Sequence, residues 1–324
     1  MQNASTTATA FEVPEHERGS VRSEAYTALV ERLSRASVSK HFDAYEDVDW
    51  DAPEHHVDAA DPRFERTTDD PLGATAWYRA LPQATRARLG LHLVACQVSL
   101  GIEFENTLKV GLLQFAKEVG HEAPEFRYAY HEVIEEAQHS LMFRELVQRM
   151  ALPVPRLPWI DRVGSRRVGR LGRTFPELFF LFVLGGEEPI DFAQRQTLLG
   201  GRDVHPLMRR VMQIHITEEA RHIRFAREYL RRNVPALPLH KRASLALQAP
   251  FLLADMTRRM LRPPAYLVRA YDMPPDVVAE AYTRNPRHRA MVLDSLASVR
   301  ALCAELGLVT HRTRPLWRGL GVCD

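Results

Sequence analysis

The chain has 324 residues, and its 45% hydrophobic content is enough for a substantial core in one large domain or two modest ones. The formal net charge is only +2, and all but four of the 43 basic residues are arginine, a bias that gives little indication of a nucleic-acid partner. Three cysteines without a CxxC pair, and no apolar run near the ~20 residues that span a bilayer, predict a cytoplasmic protein without a membrane segment.

The first part of the chain predicts an arm, a helix and a loop. Residues 1–22 are small and polar, lack the pattern of a signal peptide, and are expected to form a flexible arm. Helical periodicity with a serine N-cap follows at Ser23–Ser39. The stretch His41–Pro71 is rich in Asp, His and Pro and is predicted to be an irregular loop. We expect residues 23–324 to form a single domain.

Four long helical patterns come next, and we call them the first to fourth core helices. Each has proline near its start, and they run approximately from Pro82 to Gly120, Pro124 to Met150, Pro176 to Gly200, and Pro206 to Val234. An Arg- and Pro-rich connector, Pro153–Arg173, separates the two pairs, and further helices follow from about His240. No segment alternates with period two, so the fold class is all-α. Two helix pairs joined by a long connector are typical of a four-helix bundle with a crossover.

The second and fourth core helices carry nearly the same five residues, EEAQH at 135–139 and EEARH at 218–222. Positions three apart lie on one helix face, so a glutamate and a histidine in each motif can bind a metal ion from one side. These pairs are Glu136 with His139 and Glu219 with His222. Carboxylate and imidazole together suit iron or manganese better than a thiolate set would.

Two such pairs in a bundle require one further inward-facing glutamate on each of the other two core helices. On the first, Glu105 lies on an uninterrupted apolar stripe, whereas Glu103 lies on a mixed face. Because a lone buried carboxylate is costly unless it is paired or metal-bound, Glu105 is the candidate. On the third, Glu187 and Glu188 follow a strongly apolar run, and the local pattern favours neither.

The fourth core helix carries an additional histidine. His215 precedes Glu219 by four residues and so lies on the same stripe, within reach of the same metal ion. Glu135 and Glu218, which precede the motif glutamates directly, are candidates for accepting the N–H of a ligand imidazole. A single ExxH is more often a salt-bridging surface, but two copies in matched helices, each preceded by a helix with a buried glutamate, predict a carboxylate-bridged dimetal site.

These residues resemble the p-aminobenzoate N-oxygenase (AurF-like) family of non-haem diiron oxygenases, which is itself ferritin-like. That family has Glu on the first core helix, ExxH on the second, Glu on the third and HxxxExxH on the fourth. The matching residues here are Glu105, Glu136, His139, Glu188, His215, Glu219 and His222. The interval from Glu188 to His215 is similar to the corresponding interval in that family, so the resemblance favours Glu188 over Glu187.

The resemblance implies a ferritin-like four-helix bundle core with additional N- and C-terminal helices. It also implies O2 activation at two iron ions, with manganese as the other candidate metal, and oxidation of an arylamine to a hydroxylamine, nitroso or nitro product. A ferredoxin or reductase would supply electrons, since no GxGxxG motif indicates a bound flavin or nicotinamide, and a homodimer is expected by analogy. Two alternatives stay open: a diiron carbon hydroxylase or desaturase acting on a small or carrier-bound substrate, and a ferritin-like iron-binding protein without oxygenase activity.

Overall fold

The structure, a computed structural model, describes residues 15–201 and 203–324. Its helices are α1 Glu15–Ser39, α2 Ala76–Ala80, α3 Gln83–Ala116, α4 Pro124–Met150, α5 Trp159–Thr174, α6 Pro176–Leu199, α7 Pro206–Asn233, α8 Leu239–Leu261, α9 Ala265–Ala270, α10 Pro275–Tyr282, α11 Pro286–Ser295, α12 Ala297–Glu305 and α13 Arg314–Gly319. No β-strand occurs in these two ranges, which confirms the all-α prediction. Most of the predicted arm, residues 1–14, lies outside the described residues, and α1 begins before the expected start at Ser23.

The four core helices are α3, α4, α6 and α7. Helix α3 packs along α4 and α6 packs along α7, which gives the two predicted pairs. The connector between the pairs is itself largely helical, because α5 packs across α3 and against α6. Helix α1 covers α4 and α7, while α8 and the C-terminal helices cover α6. The structure thus has a ferritin-like core with the expected additional helices.

Proline sets the start of three core helices. Pro124, Pro176 and Pro206 each stand in the first turn, where the missing N–H of proline costs no helical hydrogen bond. Helix α4 ends at Met150, because the next residue, Ala151, has a left-handed backbone (φ 50°) that stops the helix. These boundaries agree with the predicted ones to within a few residues.

Two apolar clusters fill the ends of the bundle. One contains Phe115 and the buried run of α6 at 178–184, together with Phe225 and Tyr229. The other contains Leu91, Met142 and Phe143 among its members. Between them α3, α4, α6 and α7 contribute a layer of buried acidic and imidazole side chains, which we call the Glu/His cluster. Its members are Glu105, Glu132, Glu136, His139, Glu187, His215, Glu219 and His222.

A glycine allows α3 and α6 to approach beside this cluster. A Cβ on Gly186 would lie 2.2 Å from Cζ of Phe104, so any larger residue would displace the aromatic ring next to Glu105.

In the described part of the chain, no helix is both long and apolar enough to cross a membrane.

Candidate metal centre

The structure brings together six of the seven residues predicted as metal ligands. Each of the six side chains is at most 1% exposed: Glu105, Glu136, His139, His215, Glu219 and His222. They form overlapping groups in which the possible ligand atoms lie within 4.8 Å of one another. One group joins Glu105, His139 and His215, and another joins Glu136, His139 and Glu219. Three core helices therefore direct carboxylate and imidazole atoms to one dry location.

On the third core helix, the structure places Glu187 in the cluster and the predicted ligand Glu188 outside it. Adjacent residues of a helix point about 100° apart, so only one of the two glutamates can face the cluster. Glu187 does so, 1% exposed and grouped with His215 and Glu219. Glu188 instead accepts a hydrogen bond of 2.6 Å from Nη1 of Arg227 on α7. Burial raises the pKa of Glu188 to about 7, although Arg227 opposes that rise.

The two glutamates predicted to support the histidines each contact the histidine of the opposite motif. Nε2 of His139 lies 2.8 Å from Oε2 of Glu218, and Nε2 of His222 lies 2.7 Å from Oε2 of Glu135. Each carboxylate thus orients an imidazole by accepting its N–H. Burial opposes ionisation of Glu135, but the hydrogen bond and charge of His222, with Arg221, lower its pKa to about 2.

With both Nε2 atoms engaged, the Nδ1 atoms face the central carboxylates. Nδ1 of His139 lies 3.3 Å from Oε1 of Glu219, and Nδ1 of His222 lies 3.1 Å from Oε1 of Glu136. The same nitrogen of His222 is 3.2 Å from Oε1 of Glu219. Glu136 and Glu219 consequently lie at the centre of the cluster, next to both histidines.

His215 uses its two ring nitrogens in the same way. Its Nδ1 lies 3.1 Å from Oε1 of Gln194 on α6, and its Nε2 lies 3.7 Å from Oε1 of Glu219. Burial lowers the pKa of His215 to about 4, which leaves a neutral imidazole. A neutral imidazole with one nitrogen oriented by hydrogen bonding is the form that binds metals. Local sequence patterns did not predict a role for Gln194, because its contact with His215 joins two different helices.

Glu105 is held by a short hydrogen-bond chain that was also not predicted. Ser140 donates to Oε2 of Glu105 at 2.7 Å, and Nζ of Lys109 donates to Oγ of Ser140 and, at 3.0 Å, to the carbonyl of Glu136. Burial, and next the charge of Glu136, raise the pKa of Glu105 to about 8. A helical-spacing pattern could have identified Lys109, four residues after Glu105, but not its partner on α4.

The unpartnered atoms of the cluster test whether it fits metal ions. Within residues 15–201 and 203–324, several buried atoms find no hydrogen-bond partner: Oε1 of Glu105, both carboxylate oxygens of Glu132, Glu136 and Glu187, Nδ1 of His139 and Oε2 of Glu219. Buried carboxylates without partners are costly, and bound cations would remove that cost. A donor set of carboxylate oxygens and imidazole nitrogens suits iron or manganese. Glu132 belongs to this set and was missed, although it lies four residues before Glu136.

Comparisons with known proteins identify the family. The family model described as P-aminobenzoate N-oxygenase AurF matches residues 23–307. Two proteins from strains of Mycobacterium tuberculosis and one from Mycobacterium bovis are each 37% identical over 293 residues, covering 90% of this chain and 86% of the relative. All three are described only as uncharacterized proteins. No solved structure matches the chain. With its buried Glu/His cluster inside an all-α bundle, the chain belongs to the p-aminobenzoate N-oxygenase AurF family, within the ferritin-like superfamily.

Proposed function

We propose that this protein is a non-haem diiron monooxygenase. The proposed iron ligands are Glu105, Glu136, His139, Glu187, His215, Glu219 and His222. The observation that carries the proposal is the number of buried carboxylate oxygens that lack a hydrogen-bond partner among the described residues and lie with three histidines in one layer. Family membership supports iron as the metal.

The side chains of this layer divide the work of holding the ions. Glu136 and Glu219, which are adjacent to Nδ1 of both motif histidines, would be the central carboxylate ligands. Glu135 and Glu218 accept the Nε2–H of the two imidazoles and so would leave each Nδ1 available as a ligand atom. Ferrous iron would supply electrons for the reduction of O2.

The proposed substrate is an amine, most specifically an arylamine, oxidised to the hydroxylamine, nitroso or nitro level. Family membership supports this substrate class. Because the sequence contains no dinucleotide-binding fingerprint, we propose that a ferredoxin or a reductase delivers the electrons. We further propose that the protein acts in the cytoplasm as a homodimer.

Metal content is the first test of the proposal. The purified protein reconstituted with ferrous iron without oxygen should contain two irons per chain, and a Glu136→Ala, Glu219→Ala double variant should lose both. Glu103→Ala is the matched control, since this glutamate lies on α3 near Glu105 but outside the cluster. Fewer than two irons in the wild type, or full metal content in the double variant, would refute the dimetal assignment.

Substrate class is the second test. The reduced protein should be supplied with 18O2 and with panels of arylamines and hydrocarbons, and the products analysed by mass spectrometry. Incorporation of 18O at the amine nitrogen supports N-oxygenation. Labelled alcohols or desaturated products would instead indicate the carbon-oxidising alternative, and iron uptake without any product would indicate an iron-binding protein.

A further inference from the structure

A spacing shared by α4 and α7 extends the first ExxH motif. On α7 the cluster residues are His215, Glu219 and His222, with intervals of four and three. On α4 the same intervals relate Glu132, Glu136 and His139. Residues at these intervals lie on one helix face. Glu132 thus occupies on α4 the position that His215 occupies on α7.

The surroundings of Glu132 match those of the other cluster members. Its side chain is 0% exposed, and a carboxylate oxygen lies within 4.8 Å of possible ligand atoms of Glu136 and His222. Neither oxygen of Glu132 has a hydrogen-bond partner among the described residues. An unpartnered carboxylate with no exposure is costly, so its position next to other metal-binding atoms requires an explanation.

Buried glutamates outside the cluster are stabilised differently. Glu188 accepts a hydrogen bond from Arg227. Glu125, which precedes Glu132 by two turns of α4, accepts a hydrogen bond of 3.2 Å from Nη1 of Arg232. In the described part of the chain, no arginine pairs with Glu132. One turn before it lies Tyr128, whose buried hydroxyl has no hydrogen-bond partner there either. The nearby His222 already uses Nε2 for Glu135, and its Nδ1 faces the central carboxylates.

We infer that Glu132 is an eighth metal-binding residue, which contributes a carboxylate oxygen to the ion held by Glu136 and His222. This inference rests on the proposed two-ion site. With it, α4 and α7 each contribute three ligands, in the patterns ExxxExxH and HxxxExxH. The additional negative charge also stabilises the more highly charged ferric ions relative to the ferrous ones.

Glu132→Gln tests the inference, with Glu125→Gln as the matched control on the same helix. Ferrous and cobaltous ions should be titrated into the metal-free full-length proteins in competition with a chelator. We expect Glu132→Gln to bind one of the two ions at least about tenfold more weakly, because the loss of even a supporting group typically costs 10–100-fold. Glu125→Gln should bind both ions like the wild type.

Two further measurements separate ligation from a structural role. In Mössbauer spectra of protein loaded with 57Fe, Glu132→Gln should alter the signal of one iron, and the midpoint potential should rise. The metal-free Glu132→Gln protein should unfold at a temperature close to that of the wild type, because the amide keeps the size and shape of a buried carboxyl group that has no hydrogen-bond partner among the described residues. If Glu132→Gln does not fold, Glu132→Asp, which keeps the charge but shortens the side chain, takes its place and should show the same loss of affinity.

The outcomes that overturn the inference are specific. If the wild type binds two ions and Glu132→Gln binds both with unchanged affinity and spectrum, Glu132 is not a ligand, although the two-ion site stands. Reduced stability of the metal-free variant with unchanged metal binding would assign Glu132 a structural role instead. A wild type that binds fewer than two ions refutes the proposed function itself.

Discussion

The crossed contacts between the two EExxH motifs lead to a quantitative prediction. Glu218 is fully buried, and its Oε2 lies 2.8 Å from Nε2 of His139 on the other helix. Its Oε1 accepts from the backbone N–H of Phe42 at 3.2 Å. Glu218→Gln keeps the shape of the side chain but replaces a carboxylate acceptor with a neutral amide. This variant leaves His139 in place and weakens only the hydrogen bond that orients its imidazole ring.

The magnitude follows from the type of hydrogen bond that is lost. Bonds to charged groups contribute about 1.5–3 kcal/mol and neutral ones about 0.5–1.5 kcal/mol. The difference, roughly 1.4 kcal/mol, corresponds to about tenfold weaker metal binding. Glu218→Ala removes the bond entirely and should reach the upper end of the 10–100-fold range seen for such supporting groups. Glu135→Gln should have the corresponding effect through His222.

Cobalt titration monitored by visible absorption, in competition with a chelator, measures this effect on each variant. Glu228→Gln is the control, because this glutamate lies on α7 but pairs with Arg231 outside the cluster, at 2.8 Å. We expect Glu218→Gln to weaken binding of the ion held by His139, and Glu135→Gln to weaken binding of the ion held by His222. Wild-type affinity for both ions in both variants would refute the assigned role of the crossed contacts.

Three further predictions concern the third core helix, its packing and the acid stability of the fold. Glu187→Gln should weaken metal binding at least about tenfold, whereas Glu188→Gln should retain two ions per chain in the same titration; the reverse result would restore Glu188 as the ligand. Gly186→Ala should lower the free energy of unfolding by about 1–3 kcal/mol through its clash with Phe104, whereas Gly164→Ala, in open space on α5, should be neutral or stabilising in urea denaturation; equal effects would contradict this packing. Burial, and next the charge of Arg262, lower the pKa of His288 to about 4, whereas the pKa of an unfolded histidine is about 6.5. The neutral His288 therefore contributes its full stability above pH ~6.5, and this contribution falls as the pH drops toward 4. His288→Phe should therefore lose less unfolding free energy than the wild type over that interval, by up to about 3 kcal/mol, and parallel pH profiles would exclude this role.

Helix periodicity predicted most of the helices, because the spacing of apolar residues within one helix can be recognised in a continuous stretch of sequence. The starts of α4, α6 and α7 follow from proline in the first turn, and the apolar stripe around Glu105 identified its inward face. The helical connector α5 was missed as a helix, since its glycines and arginines resemble a loop. Local pattern is thus sufficient where a residue's own neighbours along the helix determine its environment.

Tertiary contacts determined the features that local sequence patterns left open. Glu187 and Glu188 differ in environment because Arg227 on α7 donates a hydrogen bond to Glu188 only. A contact between two helices cannot be predicted from the local sequence of either helix. Gln194 and Ser140 contact cluster residues on other helices for the same reason. Glu132 is a different case, because its spacing was visible in the sequence but an isolated glutamate four residues before an ExxH motif is also an ordinary helix-surface residue.

The distribution of ligand atoms explains why both helix pairs are needed to form the site. The pair α3 and α4 buries three cluster glutamates, Glu105, Glu132 and Glu136, but only one cluster histidine, His139, so it offers few imidazole nitrogens. The pair α6 and α7 adds two more cluster glutamates, Glu187 and Glu219, but also two histidines, and its Glu218 orients the histidine of the first pair. Because each pair orients the imidazole of the other, neither can present a complete metal site by itself. Metal binding should therefore stabilise the association of the two pairs and so the whole bundle, since ligands that bind only the folded state raise its stability.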